Sequence, residues 1–297
     1  MIPDHKTNLV YFSSLIRTLY EPEWARIESI LKKHQIQYEL LHATKSIWCR
    51  DYMPIQVAGN DFVQFQYNSS YIREKKYFDE KTIPQDVAEW QSFNIRSTDI
   101  ILDGGNVVRS KDKVIISDRV YNDNYTWSRP LLIREIEKLL QSEVIIIPAY
   151  PKDMTGHADG LVRFYDEKTV LINSSDSEPE KMWYTKFVQR LKEKSLDCIE
   201  VPIFDDPNPL KDKDIGSAVG IYLNFLEIGN LIILPVFASK DLQTVDGLSV
   251  EDIDKNVIKQ FKNRYRNHIV ELVEINRIGR QGGLMNCITW NIKGTNS

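Results

Sequence analysis

The sequence predicts an α/β fold made of about five repeats of one unit, a strand pair, a helix and a further strand, set around a central cavity. Three observations predict it. Hairpin signals recur at roughly 50 to 60 residue intervals, a spacing typical of internal repeats. Amphipathic helix patterns lie between them. Polar clusters also recur at one position within three successive units, roughly eight or nine residues before the hairpin turn.

Taken in order, a helix from Pro22 to His34 opens the chain. Ile55-Gln56-Val57 and Phe62-Val63-Gln64-Phe65 alternate apolar and polar residues around the turn Gly59-Asn60. A weaker helix follows from Pro84 to Gln91. Val107-Val108 and Val114-Ile115-Ile116 flank Lys111-Asp112, ahead of a helix from Arg129 to Leu140 and a strand Val144-Ile145-Ile146-Ile147. Leu161 to Phe164 and Val170 to Ile172 flank Asp166-Glu167-Lys168, then a helix from Pro179 to Lys194 and a strand Ile199-Glu200-Val201-Pro202. Ile221-Tyr222-Leu223 and Leu231 to Leu234 flank Gly229-Asn230, before a helix from Val250 to Arg266. Prolines near the helix starts, as in Ser128-Arg129-Pro130, suit a first turn whose N–H groups have no partner. The N-terminal helix and the C-terminal strand would close the series.

The 297 residues, 42% hydrophobic, can build a sizeable core. A net charge of -4 with only short basic stretches gives no footprint for nucleic acid. No stretch reaches the roughly 20 apolar residues of a membrane span, and the N-terminal residues lack a secretory pattern, so a cytoplasmic location is expected. Cys49, Cys198 and Cys287 form neither an even set nor a CxxC pair, which argues against disulfides and zinc.

The chemistry lies in Trp48-Cys49-Arg50-Asp51, Asp103-Gly104-Gly105-Asn106, Gly156-His157-Ala158-Asp159 and Gly282 to Cys287. They supply a thiol, an imidazole and three carboxylates. If His157 and Asp159 lie on an extended strand, both face one side. The glycines at 156 and 160 suggest a crowded pocket wall. Asp51 beside Trp48 could hold a planar cation, while Arg50 reads first as its ion-pair partner at a strand end. Asp-Gly at 103 is by itself a turn signal, raised by its place in the repeat. Cys198 reads as a buried structural thiol, and Cys49 faces away from Trp48 and Arg50 on a strand. Together the parts permit attack of Cys287 on a guanidinium carbon held by Asp51 and Asp159. His157 would protonate departing ammonia and then deprotonate the water that resolves a covalent thiouronium. Asp103 would orient His157 or hold a guanidinium nitrogen.

These four motifs resemble the agmatine deiminase and bacterial peptidylarginine deiminase-like branch of the guanidine-modifying (pentein) superfamily. The resemblance spans most of the chain in the family's order. It implies a single domain over residues 1–297 with a fivefold pseudosymmetric α/β propeller fold. It implies Cys287 as nucleophile, His157 as general acid/base with Asp103 beside it, and Asp51 and Asp159 as a guanidinium clamp. Trp48, Arg50 and Gly283 join the substrate-side candidates. No metal or organic cofactor is implied, and the expected partner is a small guanidino compound, with a homo-oligomer left open. The chain departs from the agmatine type in carrying Asp103 for Glu, Met53 for Gly and Asn286 for His. The shorter acid leaves its reach to His157 open. Agmatine, giving N-carbamoylputrescine and ammonia, is the expected substrate, ahead of peptidyl-arginine and other guanidines. Amidino transfer and a non-catalytic binding role are the alternatives.

Overall fold

The computed structural model describes residues 1–87, 90, 92–174, 180–210, 216–238 and 242–294. Among the described residues, fifteen strands form five three-stranded sheets of one design: a middle strand paired antiparallel on one side and parallel on the other, with the strand that follows the crossover. The hairpins are β3 (Ile55–Ala58) with β4 (Asp61–Gln66), β6 (Val108–Arg109) with β7 (Lys113–Ser117), β9 (Val162–Phe164) with β10 (Thr169–Asn173), and β12 (Leu226–Ile228) with β13 (Leu231–Val236). Their parallel partners are β5 (Asn94–Ile101), β8 (Glu143–Ile147), β11 (Asp197–Val201) and β14 (Ile269–Glu274). The fifth sheet joins the two ends of the chain. Its β1 (Leu9–Ser13) pairs with β2 (Gln37–Leu41) in parallel and with β15 (Trp290–Ile292) antiparallel, Leu9 opposite Ile292. The repeat architecture expected from the sequence is present.

Burial explains the strand patterns. The middle strands are covered on both faces and therefore read as apolar runs, such as Leu231-Ile232-Ile233-Leu234, all fully buried. The outer strands β2, β5, β11 and β14 are largely exposed or half-buried, and alternate or carry charge. Four helices cross over the sheets: Glu21–Lys33, Arg129–Leu140, Lys181–Glu193 and Val250–Arg264. Each buries one stripe, for example Leu132, Ile136, Leu139 and Leu140, spaced for a single helical face. Ser249 caps the last of them, its hydroxyl accepting from the Asp252 N–H.

Two elements differ from expectation. The crossover between β4 and β5 carries short 3-10 turns, Tyr71–Arg73, Lys75–Glu80 and Pro84–Asp86, in place of the helix expected from Pro84. Gln91 at its end, and Pro179 at the start of the Lys181–Glu193 helix, lie outside the described residues. In the fourth hairpin the first strand is Leu226–Ile228, and Ile221-Tyr222-Leu223 forms the buried turn before it. An apolar run alone does not tell a strand from a turn packed in the core. No helix among the described residues is long and apolar enough to cross a membrane.

Candidate active site

Every hairpin is entered from the same side by a short irregular segment, and these segments carry the polar side chains. Asp51 lies just before β3, Asp103 before β6, His157 and Asp159 before β9, Asn224 before β12 and Cys287 before β15. All but Asp103 line one cavity of about 410 Å³, together with Trp48 and Gly283. Asp103 stands directly behind His157.

The local conformations are not the strands first expected. Cys49–Tyr52 forms one helical turn, so Arg50 and Asp51 diverge. Asp51 faces the cavity, while the Arg50 guanidinium turns away to donate to the Asn286 carbonyl (3.2 Å), Asn286 Oδ1 (3.0 Å) and Asn291 Oδ1 (2.6 Å). Arg50 is therefore neither Asp51's ion-pair partner nor a cavity residue; it braces the segment that carries Cys287. Cys49 is fully buried against the Ile288 carbonyl, and burial pushes its thiol up to about 12. His157 and Asp159 sit in a bend and a turn ahead of β9, where curvature rather than strand alternation brings them together. Asp153 holds this bend, accepting from the Thr155 and His157 N–H groups.

The paired glycines are explained by contact. A Cβ on Gly104 would fall 2.0 Å from the Arg50 carbonyl oxygen, and one on Gly105 would fall 2.5 Å from His157 Nδ1 and 2.6 Å from Asp51 Oδ1. Gly105 also ties the carboxylates together: its N–H donates to Asp51 Oδ1 (3.0 Å), and its carbonyl accepts from the Asp159 N–H (3.1 Å). Gly283 lets Trp48 and Cys287 close in, since a Cβ there would lie 2.6 Å from the indole. Gly160, expected to be crowded, lines the cavity with open space around it.

His157 is buried among carboxylates. Its Nε2 lies 3.1 Å from Asp103 Oδ2 and its Nδ1 3.7 Å from Asp51 Oδ1. Burial disfavours the imidazolium, but Asp51, Asp103 and Asp159 outweigh it and hold His157 up at about 10. Burial, partly offset by His157 and reinforced by Asp103 and Asp159, raises Asp51 well above the usual carboxylate range. Asp103 Oδ2 also accepts from Ser69 Oγ (2.7 Å) and Tyr71 Oη (2.8 Å), both supplied by the irregular crossover after β4. Burial, with Asp159 and Asp51, pushes the Cys287 thiol well above its usual range.

Asn224 was not singled out from the sequence. Its Nδ2 lies 3.1 Å from both Asp159 Oδ2 and Cys287 Sγ, and its Oδ1 accepts from the N–H groups of Asn286 (3.0 Å) and Cys287 (3.3 Å). Its signal was positional: it holds in the fourth module the place of Asp51, Asp103 and Asp159 in the others. Asn286, which replaces the His of the agmatine type, donates from Nδ2 to Asp159 Oδ2 at 2.7 Å. Such a set can bind a flat cation between two carboxylates and set a sulfur against it.

Comparison with known proteins identifies the fold and the family. A protein of Mycoplasma capricolum, named "Putative agmatine deiminase", is 24% identical, with 82% of this chain and 73% of that protein covered. The structure of C. jejuni agmatine deiminase superposes with a TM-score of 0.74 at 17% identity, covering 98% of this chain and 94% of that one. The agmatine deiminase of Enterococcus faecalis gives 0.71 at 14% identity, covering 98% and 94%. These structures share the pentein α/β fold. Residues 12–292 match the Porphyromonas-type peptidyl-arginine deiminase family. The chain belongs to that family of enzymes, which act on guanidino groups.

Proposed function

We propose that this enzyme hydrolytically deiminates a small guanidino compound, agmatine being the substrate the cavity fits best. The observation that carries the reading is the meeting of Cys287, His157, Asp51 and Asp159 on one cavity wall. Asp51 and Asp159 would take the guanidinium by paired charge-assisted hydrogen bonds, with Trp48 alongside. The bound cation would bring positive charge beside the sulfur and so favour the Cys287 thiolate. The sulfur would bond to the guanidinium carbon, and the C–N bond would break as His157 gives its proton to the leaving ammonia. The neutral imidazole would then take a proton from water, whose oxygen displaces the sulfur and leaves a ureido product. A raised His157 pKa suits the first, acid role.

The cavity wall also bears on the substrate. Its described residues include Glu80, Asp153 and Asp205, with Asp206 paired to Arg280 at 3.3 Å, but no arginine lines it, and the Lys152 ammonium is paired with Glu180 at 2.7 Å. A second positive charge at the far end of the substrate suits such a wall; an α-carboxylate does not. The test is a ureido-product and ammonia assay with agmatine, free arginine and an arginyl peptide, beside Cys287→Ala. Product from agmatine that depends on Cys287 is expected. Preference for the peptide would overturn the substrate assignment, and no product from any guanidine would overturn deimination.

A further inference from the structure

We infer that Asn224 is the thiolate-stabilising residue of this site, the donor that allows Asp159 and Cys287 to be negatively charged side by side. For its role in turnover the inference rests on the deiminase reading; for the thiol itself it does not.

Cys287 Sγ and Asp159 Oδ2 are 3.6 Å apart in a buried wall. The chemistry asks both to be anions, one to attack and one to hold the cation, and two like charges at that distance oppose each other strongly. A donor between them resolves the conflict. Asn224 Nδ2 sits 3.1 Å from each and has two hydrogens, one for each acceptor. The amide cannot be the other way round. Its oxygen is held by two backbone N–H groups, those of Asn286 and Cys287, which a flipped NH₂ could not satisfy.

The same residue therefore does two things at once. Its carbonyl anchors the backbone of the nucleophile, and its NH₂ faces the nucleophile's sulfur. The donor matters most when water resolves the covalent intermediate: the C–S bond breaks and its electron pair returns to sulfur, just as the departing ureido product stops supplying positive charge. Asn286 Nδ2 donates to the same Asp159 Oδ2 at 2.7 Å, a second amide donor that helps hold this carboxylate as an anion.

The experiment is the pH dependence of iodoacetamide alkylation of Cys287, followed by peptide mapping to separate it from Cys49 and Cys198, in wild type and Asn224→Ala. The expected result is a midpoint higher by about one pH unit or more in the variant, with kcat lower by roughly tenfold or more and KM little changed. Superimposed alkylation profiles in a variant that melts like wild type would overturn the inference. Should Asn224→Ala not fold, Asn224→Ser keeps a small polar side chain without adding charge and is too short to bring a donor to the sulfur. An upward shift there supports the inference, and an unmoved profile rejects it. Alkylation needs no substrate, so a shift without turnover of any guanidine would uphold Asn224 and reject deimination, while turnover with unmoved profiles would do the reverse.

Discussion

Asp103 reaches His157 despite its short side chain: Oδ2 stands 3.1 Å from Nε2, held there by Ser69 and Tyr71. The family resemblance left that reach open. The structure closes it with donors from the crossover between β4 and β5. Asp103→Glu should therefore not improve the enzyme. The extra methylene must fit a space already filled by two donors and an imidazole, and kcat should fall by roughly tenfold or more. A rate equal to or above wild type would show that the acid's length is not matched to this site. Tyr71→Phe, which removes a donor from a buried carboxylate, should cost about 1.5–3 kcal/mol in denaturant unfolding.

Cys287→Ala should lower turnover by roughly four orders of magnitude or more, because no other group near the clamp is a nucleophile of comparable strength. Asp51→Asn and Asp159→Asn should each lower kcat/KM by roughly a hundredfold or more through loss of a charge-assisted pair. Steady-state kinetics on the three variants checks both statements, and ordinary kinetics in the two Asn variants would remove the clamp from the mechanism.

Gly105→Ala places a methyl within 2.6 Å of both Asp51 and His157. It should cost about 1–3 kcal/mol of stability and most of the activity. Gly283→Ala should act likewise by prising Trp48 from Cys287. Thermal melts and rates measured together would separate this from a harmless surface change.

His157 is raised to about 10 in the folded protein from an ordinary value of 6.5. The fold then binds a proton more tightly than the unfolded chain, so its contribution to stability is complete below pH 6.5 and is lost as pH rises through about 10. Asp51, also raised, works in the same direction at lower pH. The melting temperature should thus fall steadily between pH 6.5 and 10, and His157→Gln should flatten that slope. An equally steep slope in the variant would place the titration elsewhere.

Much of the fold was legible because it rests on short-range signals. The turns Gly59-Asn60, Asp166 to Lys168 and Gly229-Asn230 and the stripe Leu132, Ile136, Leu139 and Leu140 each fix their element locally. The site was legible in its reactive groups, since Asp51, Asp103, His157, Asp159 and Cys287 all converge. What could not be read was direction. Arg50 and Asp51 are neighbours in sequence, and only the helical turn at Cys49–Tyr52 sends one behind Cys287 and the other in front. Asn224 was hidden because an amide announces no chemistry until its two partners are in place.

The pairing of β15 with β1 has a consequence for how the enzyme comes into being. Leu9 meets Ile292 across all four intervening sheets, so that contact can form only after the segments between them have been synthesised. Cys287 lies three residues before β15 and is seated by the same closure. Until Trp290–Ile292 has paired with β1, the segment that carries Cys287 lacks the sheet that anchors it.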